Sequence, residues 1–205
     1  MDNRRGGYYR YNAPLHFTDK KNFKYKCFVD DKRLTAGGIF FYEEINGKKG
    51  LWLLKEDDYT DFGGKYDYND GDIYATISRE FREEVLNTQE ISYKDIKSIP
   101  ANHHIYINGY DAHPVYLCVI VHIDRFNIKL DSDLIRTEKQ KVLKANPKVP
   151  RDWYKTEDVN FVYLDHIQRG GVIISRRLRS ILTTLTTNLN NYSEEIQTFF
   201  KGFTL

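Results

Sequence analysis

Residues 63–86 read GGKYDYNDGDIYATISREFREEVL, a pair of glycines followed by a helical pattern. Apolar residues recur in it at four-residue intervals, which predicts the buried face of an α-helix. These residues are Ile73, Ile77, Phe81 and Val85. An acidic residue just ahead of such a pattern is typical of a helix N-cap, so we expect Asp70 or Asp72 to begin the helix.

The same helix carries three carboxylates, on Glu80, Glu83 and Glu84. At about 100° per residue they fall within roughly 100° of one another, beside the apolar face and not opposite it. Clustered negative charge at the edge of a core is costly unless a cation compensates it. Hard cations such as Mg²⁺ prefer oxygen ligands and keep positions open for water and phosphate. The stretch therefore predicts a metal site, and the alternative is an acidic helix with solvated carboxylates.

The glycines and the acidic helix together resemble the Nudix box, G-x5-E-x7-R-E-U-x-E-E-x-G-U, in which U is a bulky apolar residue. Gly64 is followed by five residues and Asp70, and Arg79-Glu80 follows after eight more. Phe81 fills the apolar position, and Glu83-Glu84 complete the acidic set. In these positions the chain resembles the Nudix hydrolases.

Three positions depart from that pattern. Asp70 stands in place of Glu, the spacer after it is one residue longer, and Leu86 stands in place of the late Gly. Asn87, directly after Leu86, can adopt the left-handed conformation that a helix end often needs. The stretch from Asp61 through the glycines is similar to a divergent box found in large DNA viruses and some eukaryotes.

The resemblance implies a Nudix-like α/β/α sandwich, with a mixed β-sheet between helices, over residues 34–190. The expected strands cover residues 36–42, 51–55, 115–123 and 159–165, and the closing helix covers 175–185. Asn46-Gly47 is a hairpin signal between the first two strands. Residues 1–33 are expected to be a basic, aromatic extension, residues 131–156 an insertion and residues 191–205 a C-terminal tail.

The resemblance also implies roles for the residues of the box. Glu80, Glu83 and Arg79 correspond to catalytic positions, and Arg79 can reach Glu83 across one helical turn. The implied ligands of Mg²⁺ or Mn²⁺ are Glu80, Glu83, Glu84 and the backbone of Gly64. Lys65 and Asp70 are expected to contact substrate. The implied reaction is attack of an activated water on a phosphorus of a nucleoside diphosphate linked to a group X.

Basic segments lie on both sides of the predicted core. Residues 1–33 hold nine Lys/Arg against four Asp/Glu, a net charge of +5. Arg4 and Arg5 are interleaved with tyrosines, a composition that can contact phosphates and stack on bases. A solvated terminus is the alternative. In the insertion, the pattern of residues 133–145 predicts a helix whose apolar residues are Leu134, Val142 and Leu143. This segment is either a clamp for an anionic substrate or a solvated helical insertion.

Single residues near the box are further candidates. Glu157, ahead of the last strand, is a candidate carboxylate of the site, with a surface turn as the alternative. Trp52, Tyr59 and Phe62 can stack on a base or belong to the core.

Composition predicts a soluble, intracellular, cytoplasmic protein, or one in the host cytoplasm or virion if the source is a virus. The net charge is +2, so a basic surface would have to be segregated. Cys27 and Cys118 do not form a disulfide framework, and Cys118 is expected to be a buried thiol. No apolar run approaches the roughly 18 residues of a membrane span, so no membrane partner is expected. For the oligomeric state, a monomer and a homodimer are the two alternatives.

The leading interpretation is a pyrophosphohydrolase of small nucleotides, such as an NTP, a dinucleoside polyphosphate or a nucleotide sugar. The basic segments keep a second substrate class open, capped mRNA, and inositol pyrophosphates are a third. A different class of function is a non-catalytic, nucleotide-sensing Nudix module, because a fold alone does not fix function. Such modules typically lose carboxylates of the box, and this chain keeps all three.

Overall fold

The computed structural model of the chain describes residues 27–29, 32–108, 114–145 and 158–205. Its strands are β1 (Cys27–Val29), β2 (Lys32–Leu34), β3 (Ala36–Ile45), β4 (Lys48–Lys55), β5 (Tyr59–Thr60), β6 (Phe62–Lys65), β7 (His104–Asn108), β8 (Pro114–His122) and β9 (Asp158–Tyr163). Its α-helices are α1 (Ile73–Glu84), α2 (Tyr93–Lys97), α3 (Ser132–Ala145), α4 (Leu164–Gln168), α5 (Arg176–Thr187) and α6 (Glu194–Phe200).

Seven strands, β3 to β9, form one mixed sheet around the long strand β3. β3 pairs in parallel with β8 from Ala36 to Tyr42. It also pairs antiparallel with β6 through its first half and with β4 through its second half. The predicted hairpin between β3 and β4 is confirmed, since Asn46 and Gly47 have φ angles of 53° and 73°, as a primed turn requires.

The sheet is buried on both faces, which explains its apolar sequence. In β3 the side chains alternate, so Ile39 and Phe41 pack towards α1 while Phe40 and Tyr42 pack towards α5 and α6. Helices α1, α2 and α3 contribute to the first core, and helices α4, α5 and α6 contribute to the second. The predicted α/β/α sandwich with a central mixed sheet is therefore confirmed.

The acidic helix α1 is fixed to the sheet by its apolar face. Ile73, Ile77, Phe81 and Val85 are all fully buried, as the four-residue period predicts. Phe81 packs edge to face against Phe41 and Phe62, with ring centroids 5.6 and 5.3 Å apart. The helix begins at Asp72, whose Oδ1 accepts a hydrogen bond from Ala75 N at 2.8 Å. Of the two N-cap candidates, Asp72 holds that position and Asp70 does not.

The end of the chain is packed and not extended. Residues 191–205, which the sequence sets apart as a tail, contain α6, and its Ile196, Phe199 and Phe200 are buried against the sheet. Lys49 in β4 donates from Nζ to the carbonyls of Thr198 and Phe199, at 2.9 and 2.8 Å. Burial of this apolar surface makes α6 part of the second core.

Helix α3 lies along the edge strand β9, and its inward face differs from the predicted one. Ile135 is buried, whereas Leu134 is 41% exposed. Of the three apolar residues that the sequence marks in this helix, Val142 and Leu143 are partly buried. Leu134 lies outside, because the inward face follows helical spacing from Ile135 to Val142. Ser132 Oγ donates to the Val159 carbonyl, and Arg136 pairs with Asp158, so both contacts fasten α3 to β9.

Several predictions fall outside the residues that the structure describes. Arg4, Arg5 and Glu157 are among these, as are residues 146–156 of the insertion. In the described ranges, the helices are too short or too polar to cross a bilayer.

Helix α1 ends in a Schellman motif that places a leucine where glycine is usual. Leu86 N donates to the Glu83 carbonyl and Asn87 N to the Arg82 carbonyl, at 3.0 and 2.8 Å. Both residues are left-handed, with φ angles of 53° and 58°. Leu86 has the conformation that glycine would favour, at the position where the pattern that the sequence resembles has glycine. The partly buried Leu86 side chain packs against the first core, which offsets the strain.

Replacement of Leu86 separates that strain from the packing. Leu86→Gly and Leu86→Ala lose the same contacts, but only alanine retains the left-handed penalty. We therefore expect the glycine variant to be more stable by about 1 kcal/mol. The control is Thr183, exposed in the middle of α5, where Gly should be less stable than Ala by about 1 kcal/mol. Urea unfolding measures both differences, and the same sign at the two positions would contradict the interpretation.

Candidate metal centre

The glycine turn and the acidic helix meet at Gly64 and Glu80. Antiparallel pairing of β6 with β3 places Gly64 opposite Gly37, beside α1. A Cβ atom at Gly64 would lie 2.2 Å from Glu80 Oε2, far inside van der Waals contact. Only a residue without a side chain leaves this room, so the sequence brings a backbone and a carboxylate together at one point.

Arg79 holds the carboxylates around the turn. Its Nη1 donates to Glu80 Oε1 at 2.7 Å and to Glu83 Oε2 at 3.2 Å. Its Nη2 donates to the Lys65 carbonyl at 3.1 Å, which ties the helix to the turn. The predicted contact between Arg79 and Glu83 is therefore confirmed. Charge-assisted bonds of this kind fix the orientation of a side chain more strongly than neutral ones.

Asp70 is the fourth partner of Arg79. The Arg79 Nε atom lies 3.0 Å from Asp70 Oδ1, and the Thr76 hydroxyl donates to Asp70 Oδ2 at 2.8 Å. Asp70 thus orients Arg79 from the loop between β6 and α1. Its expected contact with substrate stays a prediction, and so does that of Lys65, which is exposed at the end of β6.

The three glutamates differ in how deeply they lie. Among the described residues, no hydrogen-bond donor reaches the buried Oε2 atom of Glu84. The Glu80 side chain is 17% exposed and the Glu83 side chain 38% exposed, both beside Arg79. The three glutamates therefore range from Glu84, which has one carboxylate oxygen inside the protein, to Glu83, which lies nearest the surface.

Burial changes the protonation of the two inner glutamates. Burial raises the pKa of Glu80, and the adjacent Arg79 charge opposes part of that rise. Burial raises the pKa of Glu84 well above its usual range, and the negative charge of Glu80 adds to the effect. Both carboxylates would thus be stabilised in their charged form by a nearby cation.

These features fit a divalent cation such as Mg²⁺ or Mn²⁺. The donors are hard oxygens, one of them is buried without a partner, and the close approach at Gly64 leaves backbone next to Glu80. In the described part of the chain, no three Asp, Glu, His or Cys side chains are gathered closely enough to enclose a metal ion. The carboxylates repel one another, and Arg79 occupies the position of a cation between Glu80 and Glu83.

A buried polar cluster behind the turn was not predicted. Asp61, directly ahead of Phe62 and the glycines, is fully buried. Its carboxylate accepts hydrogen bonds from Tyr116 in β8 and Arg177 in α5. Cys118 is buried beside them, as predicted, and burial raises the pKa of its thiol, with the Asp61 charge adding to the rise. The sequence signal is an aspartate directly ahead of Phe62 and the two glycines, because a charge at the start of a buried strand needs a buried partner.

The aromatic candidates divide between the core and the surface of the sheet. Phe62 is fully buried in the first core and has no open face for a base. Trp52 is half-buried, and its ring centroid lies 5.5 Å from that of Phe161. Trp52 Nε1 donates to Glu43 Oε2 at 2.7 Å.

The raised pKa values have a consequence for stability. Above about pH 4.3, the ordinary pKa of glutamate, an unfolded chain releases protons that folded Glu80 and Glu84 still hold. Stability in the presence of a chelator should therefore fall as the pH rises through the raised pKa values. Thermal melting across this range measures the slope. The glutamine of Glu84→Gln cannot titrate, so the melting temperature of this variant should fall less steeply with pH. Identical slopes in the variant and the wild type would contradict the burial of a titrating carboxyl at position 84.

Comparison of the chain with protein-family models, with curated proteins and with solved structures finds no match in any of the three.

Proposed function

We propose that the chain is a metal-dependent, Nudix-type hydrolase that cleaves a diphosphate linkage in a nucleoside diphosphate–X substrate. One observation carries the proposal. The glycine turn is packed onto Glu80, and the same helix buries a Glu84 oxygen that no donor among the described residues satisfies. A buried carboxylate oxygen without a hydrogen-bond partner is costly, and hard oxygen donors of this kind are the ligands that Mg²⁺ prefers.

The proposed ligands are the carboxylates of Glu80, Glu83 and Glu84 and the backbone of Gly64. A bound Mg²⁺ or Mn²⁺ ion would supply activation of water and neutralisation of charge on phosphoryl oxygens. Arg79 orients Glu80 and Glu83 through its hydrogen bonds, so it acts on the geometry of the site. Lys65 follows the turn at the surface and provides a positive charge for the substrate phosphates.

Glu80 is the proposed general base. Burial raises its pKa, which moves it towards the range in which a carboxylate accepts a proton efficiently near neutral pH. In the proposed reaction, Glu80 takes a proton from water as the water oxygen bonds to phosphorus and the bridging oxygen leaves. The Arg79 charge opposes the rise in the pKa of Glu80 and so favours its ionised form.

Small nucleotides are the proposed substrates, and capped RNA is the second candidate. The observation that favours RNA is helix α3, which projects Lys141 and Lys144 to solvent beside the edge strand β9. Basic side chains at such an edge can bind the phosphates of a longer chain. A non-catalytic role is disfavoured because Glu80, Glu83 and Glu84 are all present on the one helix α1.

Glu83→Gln tests the metal centre. The change removes a charge and keeps the size of the side chain, so folding should be retained while turnover falls by about 100-fold or more. Mn²⁺ titration calorimetry should show weaker binding in the same variant. Glu90→Gln, at an exposed position beyond α1, is the matched control and should behave as the wild type. Unchanged turnover in Glu83→Gln would overturn the assignment.

A substrate panel tests the reaction. NTPs, dinucleoside polyphosphates, nucleotide sugars and capped RNA are incubated with Mg²⁺ or Mn²⁺ in ¹⁸O-labelled water. We expect cleavage of a phosphoanhydride, with label in one phosphate product and faster turnover of small nucleotides than of capped RNA. Faster cleavage of capped RNA would favour the second candidate. No cleavage of any member, in protein that binds Mn²⁺, would favour a sensing module.

A further inference from the structure

A cleft opens on the side of the sheet that faces away from α1, between the end of β3 and helix α6. It consists of two adjoining cavities of about 290 and 470 Å³, and His122 and Glu195 line both of them. Tyr42 of β3 lines the larger cavity, whereas Gly37 of the same strand pairs with Gly64 of the glycine turn. Five positions separate Tyr42 from Gly37, which is about 17 Å along a strand. The cleft is therefore separate from the proposed metal centre.

The Tyr42 hydroxyl is a buried polar group in this cleft. Tyr42 is 1% exposed, and in the described part of the chain its hydroxyl oxygen has no hydrogen-bond partner. Burial raises the pKa of Tyr42, and the nearby Glu195 carboxylate adds to the rise without lying in the geometry of a hydrogen bond. A buried hydroxyl without a partner is costly, and a polar ligand group in the cleft would remove that cost.

Carboxylates outnumber cations in the walls of the cleft. Four of them line the two cavities, and they belong to Glu44, Asp124, Glu194 and Glu195. Lys49 is one of the two cations, and its Nζ donates to the Thr198 and Phe199 carbonyls of α6. The other cation, Arg125, is exposed. Among the described residues, neither cation forms an ion pair with a carboxylate of the cleft, so the cleft keeps an excess of negative charge.

The buried part of the cleft is aromatic and offers further acceptors. The Tyr42 ring centroid lies 4.6 Å from that of Phe199 and 5.4 Å from that of His122. His103, which is 6% exposed, lines the smaller cavity. Its Nδ1 donates to the Ile120 carbonyl at 2.9 Å, because a carbonyl can only accept. Nε2 is then the acceptor of the neutral ring. Aromatic rings and acceptors together suit a ligand cation.

We propose that this cleft binds a small organic cation with two or more primary ammonium groups, that is, a diamine or polyamine. An ammonium group only donates hydrogen bonds, which complements a cleft of carboxylate, phenol and imidazole acceptors. The two cavities favour two ammonium groups, because Asp124 lines the smaller, Glu44 lines the larger and Glu195 lines both. The proposal is independent of the proposed function, since none of these residues belongs to the metal centre.

Calorimetric titration of the full chain with putrescine, a diamine, tests the proposal without any nucleotide. Putrescine should bind with a Kd below about 1 mM, and the uncharged diol of the same length should not bind. A wild type that binds neither compound, or both equally, overturns the proposal. Acetyl-lysine amide carries a single ammonium group, as a lysine of a partner protein does, and should bind more weakly than putrescine. Tighter binding of the lysine compound overturns the choice of a free diamine.

Tyr42→Phe tests the site without a change in net charge. The variant keeps the ring and removes only the unsatisfied hydroxyl, so it should fold and should bind putrescine about fivefold more weakly. Tyr68→Phe, at a residue that is 65% exposed in the loop before α1, is the matched control and should bind as the wild type. Unchanged affinity in Tyr42→Phe overturns the assignment of its hydroxyl to the ligand.

Glu195→Gln tests the carboxylate that lines both cavities, and it should weaken putrescine binding about tenfold. Glu90→Gln removes the same charge at an exposed position beyond α1 and should bind as the wild type. Equal weakening in these two variants would reduce the effect to net charge and overturn the proposal. Glu83→Gln should also bind putrescine as the wild type, and loss of binding there would assign the amine to the metal centre instead of the cleft.

Discussion

The close approach between the Gly64 backbone and the Glu80 carboxylate is the constraint on which the rest of the site depends. It requires a strand, β6, to deliver a residue without a side chain beside a helix that turns its carboxylates inward. The apolar face of α1, with Ile77 and Phe81 buried against the sheet, fixes the helix in that orientation. The acidic residues are then partly buried as a consequence of packing, and burial of charge without compensation is unfavourable.

Two arginines compensate this charge in different ways. Arg79 comes from the acidic helix and bonds directly to Glu80 and Glu83, so it restrains the outer carboxylates. Arg177 comes from α5, on the other side of the sheet, and bonds to Asp61. Its influence reaches the inner carboxylate of Glu84 without a hydrogen bond. The inner carboxylate thus remains the least satisfied group of the cluster.

The sequence alone predicts the elements whose apolar or turn residues follow a short local pattern. The apolar face of α1, the Asn46-Gly47 hairpin and the runs of β3 and β8 follow from local patterns, and the structure contains them. Contacts between residues that are far apart in the sequence cannot be predicted from such local patterns. Asp61 and Arg177 lie 116 positions apart, so only the folded sheet reveals that they pair. The inward face of α3 does not follow from the sequence, because Leu134 and Ile135 are both apolar and only packing against β9 selects one of them.

The end of α1 shows that leucine can hold the left-handed position that glycine usually fills at a helix end. A left-handed residue at position 86 closes the Schellman bonds of the helix, and these bonds terminate it directly after Glu84. Leucine meets this requirement with conformational strain, and its contact with the first core offsets the cost. The backbone geometry, and not the residue type, is therefore what the acidic helix needs at this point. The orientation of Glu83 and Glu84 does not require glycine at position 86, because the apolar face of α1 orients the helix and Arg79 binds Glu83.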